Sequence, residues 1–334
     1  MMRRITLAAV AASLLIGCSR SPTDPSSSGP SMLQGQTVNA VDGSAAASLT
    51  VQVGSTRAVT TNQEGFFEVE VGNPGTYRAV VRGNGVVQRE TTVTAPSSNR
   101  TRLSLIPSSF DLAAFDEMFR TANERLQRWV NRPALVVVAS VMDYRRGVSE
   151  YEATGEQMSD DEVVQMVAHL TEGLALLTGN TYNAFTSVDV ERPASGQRVK
   201  VTRTGMIVVG RYNGVVSLVN TIGYGQWSEL ADGTVNGGSM FLDRDFDRGD
   251  SRRRLLRIHE LGHALGYLHV RTRTSIMNPS IGPEPTDFDR AGAVIAFQRP
   301  PGNRSPDVDP SAGAGPGLGV STGAGMWTTV FCGH

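Results

Sequence analysis

The stretch HELGHALGYLH, from His259 to His269, gathers three of the chain's five histidines into eleven residues and leaves little choice of local geometry. It closes the segment SRRRLLRIHELGHALG, where Leu255, Ile258, Gly262 and Leu265 recur at helical spacing. A helix is therefore expected from about Arg252, capped by Asp250 or Ser251. Residues four apart share one helix face, so His259 and His263 project side by side, about 5–6 Å apart at Cβ. Gly266 should end the helix, because glycine takes a positive φ without steric cost and lets the chain reverse. Three residues later His269 can swing back to the same point. Three neutral imidazole nitrogens leave the fourth tetrahedral position of one zinc ion open, the pattern of a catalytic rather than a structural site. A water in that position can have its pKa lowered to about 7, and Glu260 stands beside it as a general base. The alternative, a core helix with incidental histidines, does not account for ligand spacing around a glycine.

His259, Glu260, His263, Gly266 and His269 fill every specified position of HExxHxxGxxH, and the stretch resembles the active-site motif of the metzincin zinc peptidases. Metzincins carry a methionine turn beneath the zinc, and Met277 in TSIMNPS is similarly placed. That segment is closest in character to the matrixin version. The resemblance implies that Asn278, Pro279, Ser280 and Ile281 wall the pocket for the residue after the scissile bond. PTDFDRAGAVIAFQ, with Thr286 as cap, then resembles the last matrixin helix. It also implies that a peptide substrate adds as a strand to an exposed sheet edge, and TIGYGQ (221–226) looks like that edge. A matrixin cysteine switch needs a cysteine just before the catalytic domain, and none stands there. Latency through a thiolate is thus excluded at this level, with Cys332 and His334 read as terminal accidents. A gluzincin arrangement would need a distant carboxylate such as Glu284, a role His269 already fills.

The chain begins MMRRITLAAVAASLLIGCSR. Its apolar run would span about 20 Å as a helix, short of the ~30 Å hydrocarbon core, and so reads as a secretory signal. Leu15-Ile16-Gly17-Cys18 resembles the lipobox of bacterial lipoproteins. That implies residues 1–18 are a signal peptide, Cys18 is acylated, and the protein is exported and lipid-anchored at an outer membrane or cell surface. Residues 19–31 form a Ser/Pro tether. From 32 to 106 the pattern has period two: Leu49, Val51 and Val53, then Phe67, Val69 and Val71, then Tyr77, Ala79 and Val81. A small all-β sandwich is expected. TTNQEGFFEVEVGNPGTYRAVV is similar to the carboxypeptidase-regulatory-like (transthyretin-like) domain.

Residues 107–300 mix helices and strands, which implies an α+β domain built on one mixed, twisted sheet. By resemblance this is a zincin/metzincin-type catalytic domain. A long first helix is expected in SFDLAAFDEMFRTANERLQRWV. ALVVVASVM reads as an inner strand, and Ser159 with Glu162 makes a capping box for a second helix. His169 beside that helix reads as a packing or surface histidine. Residues 301–334 are rich in Gly and Pro and are expected to be disordered, although MWTTVFCGH at the end is apolar enough to dock.

DRDFDRGD places Asp243, Asp245 and Asp247 like the front half of a calcium loop. Arg254 stands where an EF-hand needs Glu, and a solvated, helix-capping loop is the competing reading. With 31 basic and 32 acidic residues the net charge is −1, which disfavours nucleic acid as a partner. The expected whole is a monomeric, envelope-anchored endopeptidase with one catalytic Zn2+ and an optional Ca2+, acting on protein or peptide. The rivals are a non-catalytic envelope-binding protein that keeps the zincin scaffold, or a zinc hydrolase of cell-wall peptides. An active-site edge blocked by the C-terminal tail would favour the non-catalytic rival.

Overall fold

The computed structural model describes residues 31–120, 124–311 and 325–332. The expected signal peptide with Cys18 and the expected tether before Ser31 lie outside them, as does His334. Among the described residues, no helix is long and apolar enough to cross a membrane.

Seven strands come first: β1 (Ser31–Asn39), β2 (Thr50–Val53), β3 (Val59–Thr60), β4 (Phe66–Val71), β5 (Gly75–Arg82), β6 (Arg89–Ala95) and β7 (Thr101–Leu105). They make two sheets, ordered β4-β1-β7 and β3-β2-β5-β6. The period-two residues meet between them: Leu49, Val51, Val53, Phe67, Val69, Val71, Ala79 and Val81 share one core. Tyr77 sits at its margin. Alternation puts one face of each strand inward, and burying that face drives the two sheets together.

The second part contains α1 (Leu112–Phe119), β8 (Arg128–Trp129), β9 (Ala134–Asp143), β10 (Glu150–Gln157), α2 (Asp160–Leu177), β11 (Val188–Glu191), β12 (Arg198–Lys200), β13 (Met206–Asn213) and α3 (Val215–Val219). It continues with β14 (Gly223–Glu229), β15 (Thr234–Asp243), α4 (Arg244–Gly249), α5 (Arg253–Ala264), α6 (Asp287–Phe297) and β16 (Met326–Phe331). Nine strands form one mixed sheet with the path β12-β10-β9-β13-β15-β14-β16, β11 adding to β9 and β8 to β15. The architecture is α+β. β9 and β13 are parallel, as are β13 and β15, whereas β14 runs antiparallel to β15.

The apolar run of β9 is explained by burial on both faces. Leu135, Val137 and Ala139 face the helical core with α1, α2, α5 and α6, while Val136, Val138 and Met142 face a cluster containing Tyr144, Tyr151, Tyr212, Tyr224 and Phe241. α2 carries the expected capping box, with the Ser159 hydroxyl accepting from the Glu162 amide and the Glu162 carboxylate accepting from the Ser159 amide.

Two expectations are corrected. The first helix stops at Phe119, and Arg128–Trp129 pairs with β15 as a strand. Arg120 leaves the helix extended because its buried guanidinium is drawn to Asp116, to Asn303 Oδ1 at 2.6 Å and to the Pro306 carbonyl at 3.3 Å. Nor does structure end at residue 300. Arg299 and Asp307, both fully buried, form a two-pronged ion pair at 2.7 Å, and Arg299 also donates to the Ser104 carbonyl of the sandwich. Asn303 donates to Asp307 and Asp309, and Asp309 accepts from Arg89 on β6 at 2.8 Å. Residues 300–309 thus form a polar knot, buried at Asn303 and Asp307, that joins sandwich to mixed-sheet domain. Residues 326–331 form β16.

Candidate metal centre

α5 lies deep in the fold: every residue from Leu256 to Ala264 is buried. Its entry is held by Asp250, whose carboxylate accepts from the Arg252 amide at 2.7 Å. Its first turns are held by charge. Arg257, fully buried, donates to both oxygens of fully buried Asp247, and Arg254 pairs with Glu172 and with Glu284. Glu284 is therefore engaged away from the histidines. His169 faces the Arg257 guanidinium at 3.1 Å and is a packing residue. At the other end Gly266 has φ +100°, a value that penalises any residue with a Cβ, and the Tyr267 amide returns to the Gly262 carbonyl. This reversal delivers His269 to the helix.

The three rings converge. His263 Nε2 lies 3.1 Å from His259 Nε2 and 3.2 Å from His269 Nε2. Four nitrogens set tetrahedrally around zinc at 2.0–2.1 Å would lie about 3.3–3.4 Å apart, so the spacing fits a single ion. The opposite ring nitrogens fix the tautomers. His259 Nδ1 donates to the Ile276 carbonyl at 2.6 Å and His263 Nδ1 to the Tyr267 carbonyl at 2.7 Å. Both Nε2 atoms therefore present bare lone pairs to one another across a contact with no proton to share. A cation resolves that repulsion, and the donor set fits one. Burial lowers the pKa of His259 and of His269 to about 4, and drops that of His263 further with help from its two neighbours. All three are neutral ligands at ordinary pH.

Glu260 follows His259 on the helix and is fully buried. Burial pushes its carboxyl up to about 8, against the opposing effect of a hydrogen bond from Cys332. Its Oε2 has no hydrogen-bond partner. A buried carboxyl with one unsatisfied oxygen beside a cation site is poised to exchange a proton.

Met277 packs directly under the helix: a Cβ on Gly262 would stand 2.4 Å from its sulfur. The turn is clamped by fully buried Asp289, which accepts from the Ser275 hydroxyl, from the Ile276 amide at 3.1 Å and from the Thr286 amide at 2.7 Å. Since the Ile276 carbonyl holds His259, Asp289 orients a candidate metal ligand at one remove. Asn278 spends its side chain on its own loop, donating to the Val270 and Arg273 carbonyls and accepting from the Ser275 amide. Pro279 and Ile281 are half-buried and Ser280 is exposed.

The reading of Cys332 as an accident, and with it the exclusion of a thiolate at the site, is corrected. Cys332 is 4 % exposed, its sulfur 3.1 Å from His259 Nε2, 3.6 Å from His263 Nε2 and 3.1 Å from Glu260 Oε1. The four potential ligand atoms lie within 4.8 Å of one another. A thiolate on the same tetrahedral zinc would sit about 3.5 Å from the nitrogens. Burial, then the Glu260 charge, raises the thiol's pKa in the absence of a cation. Local spacing around the histidines could not find this residue, which is 73 positions from His259. The available signal was a strand-like segment ending in cysteine.

Of the two readings of the aspartates before α5, the structure shows the helix-capping one. Asp243 caps α4, accepting from the Asp245 and Phe246 amides, while Asp245 faces Arg244. Asp247 is claimed by Arg211 and Arg257. Among the described residues these oxygens do not gather as a metal site; the one gathered set is the histidines with Cys332. Comparison with known protein families and with curated proteins gives no match.

Proposed function

We propose that this protein is a zinc-dependent endopeptidase of the metzincin type, matrixin-like, exported and held at a bacterial envelope by an acylated Cys18. The observation that carries the reading is the convergence of three imidazole Nε2 atoms, two of them bare, beside the buried carboxyl of Glu260. The placing of α5 against β14, with Met277 beneath it, is similar to a zincin catalytic domain.

In this reading His259, His263 and His269 hold the ion. Zinc so held supplies Lewis acidity, polarising a carbonyl and acidifying water. Glu260 takes the proton from the attacking water and returns it to the leaving amine, a cycle suited to a carboxyl whose burial lifts its affinity for protons. β14 orients the peptide by main-chain hydrogen bonds.

The test compares Glu260→Gln with its parent in a Cys332→Ser background. Cleavage of an unfolded protein should vanish while zinc content stays near one per chain. Undiminished turnover refutes the role of Glu260.

One observation favours a second reading, a non-catalytic envelope-binding protein on the same scaffold: β16 covers the outer edge of β14. Glu260, fully buried at the metal and of no use to a scaffold, weighs the other way. Metal-loaded Cys332→Ser protein that cleaves nothing would support the second reading.

A further inference from the structure

β16 runs antiparallel along β14, with Phe331 opposite Tyr224, Val330 opposite Gly225, Thr329 opposite Gln226 and Met326 opposite Glu229. This is the edge that would receive a peptide. The residue that follows β16 is Cys332, whose sulfur reaches the histidine cluster. Two independent contacts of one segment therefore occupy two different requirements of the site: the strand position and the open coordination position.

The character of β16 differs from that of the other central strands. Where β15 is buried over most of its length, no side chain of β16 is fully buried. The contacts are marginal ones: the Phe331 ring lies 4.9 Å from Tyr224, and the Thr329 hydroxyl stands 3.4 Å from Gln226 Oε1. Val330 alone of β16 packs, half-buried, against the main core; a segment otherwise held by main-chain pairing and rim contacts can be displaced at the cost of that one side chain. Cys332 serves only Oε1 of Glu260; the other oxygen, Oε2, is buried and unpartnered, which indicates a site made for a further ligand that the segment leaves unserved.

We propose that residues 325–332 are a built-in, displaceable inhibitor, in which β16 takes the place of a bound peptide and the Cys332 thiolate closes the fourth coordination position of the metal. The proposal rests on the peptidase reading for its consequence, but ligation by Cys332 can be read without any activity. It also reconciles the covered edge with the retained Glu260: the site is complete and closed by a part of the chain that can leave.

The experiment uses the full chain loaded with Co2+ in place of Zn2+, the Cys332→Ser variant, and a Thr328→Pro/Thr329→Pro double variant. Adjacent residues of a strand point their N–H groups to opposite sides, so one of the two prolines must remove a donor facing β14. The parent should show a near-ultraviolet thiolate-to-cobalt charge-transfer band. The band should be lost in Cys332→Ser and weakened at least threefold in the proline variant, with the visible cobalt bands retained in both. With zinc, both variants should cleave an unfolded protein at least tenfold faster than the parent. A parent without the band, or a band that survives Cys332→Ser, overturns the proposal, and so does equal, measurable cleavage by all three proteins. Variants that keep the metal, lose the band and cleave nothing support closure by Cys332 and refute the peptidase reading instead.

Discussion

Asp247→Asn is a demanding test of how the metal helix is held. Asp247 is fully buried and receives Arg257 through both of its oxygens at 2.7 and 2.9 Å, and Arg211 of β13 at 2.7 Å. Asparagine keeps the shape but removes the charge and turns an NH2 group toward guanidinium donors. Arg211 retains Glu162 at 2.6 Å, whereas Arg257 is left with His169 Nδ1. Stranding a buried charge costs about 3–5 kcal/mol, and the surviving Glu162 contact places the loss nearer the lower figure. For a domain of this size each kcal/mol moves the melting temperature by about 2–4 °C, so a fall of roughly 6–12 °C is expected. Thermal denaturation of metal-loaded protein, followed by circular dichroism, measures it. Arg257 stands two residues before His259, so metal affinity should fall with stability.

A second variant separates charge from packing. In Asp247→Leu/Arg257→Met both members of the fully buried pair become apolar, and most of the lost stability should return. The reasoning fails if Asp247→Asn melts within about 1 kcal/mol of the parent. It fails equally if added Ca2+ raises the melting temperature of the parent and not that of the variant, since the aspartates would then be serving a cation.

Three further outcomes follow from the same contacts. Asp289→Asn should weaken zinc binding about 10–100-fold in a competition titration with a chelator, because Asp289 positions the Ile276 carbonyl that orients His259. Metal-free protein should lose stability as pH falls from about 6.5 through about 4, since burial depresses His259 to about 4 and the unfolded chain binds the proton first; about 3 kcal/mol is at stake for that ring, and His259→Gln should make the profile shallower in denaturant titrations while His263 and His269 keep part of the slope. Asp307→Ala strands the buried Arg299 guanidinium and should cost about 3–5 kcal/mol, seen as new cleavage between sandwich and mixed-sheet domain in limited proteolysis.

What the sequence made legible was local. His259, His263 and His269 are joined by a helix and one glycine turn, and helical geometry with the sterics of Gly266 is enough to predict their meeting. The capping box of α2 and the alternation of β4 were readable for the same reason: each is decided within a few residues. Distant polar partners decided the misreadings. The apolar period of the first helix continues past Phe119 to Leu126 and Trp129, both of which are indeed buried. The period did not reveal that Arg120 would be pulled out of the helix by Asn303. Residues 301–309 look unable to build a core because Val308 is their one aliphatic side chain besides the prolines. They are held instead by Arg299, Arg89 and Arg120, whose buried guanidiniums consume the carboxylates and amides of that segment.

Cys332 belongs to the second group, yet sheet physics offers a route to it. β14 is antiparallel to β15 and has no other strand of residues 31–311 on its far side, so its N–H and C=O groups would face solvent. Such an edge is unstable toward pairing with any strand that can reach it. Only one segment after Arg299 is rich in β-branched and aromatic residues, WTTVF, and its last strand residue is followed by the cysteine. Pairing antiparallel from Glu229 toward Tyr224 carries that cysteine along β14 to the end where Gly223 approaches Glu260. The thiol therefore reaches the metal centre because an unpaired edge selects the strand before it, and the same pairing that protects the edge sets the position of the sulfur.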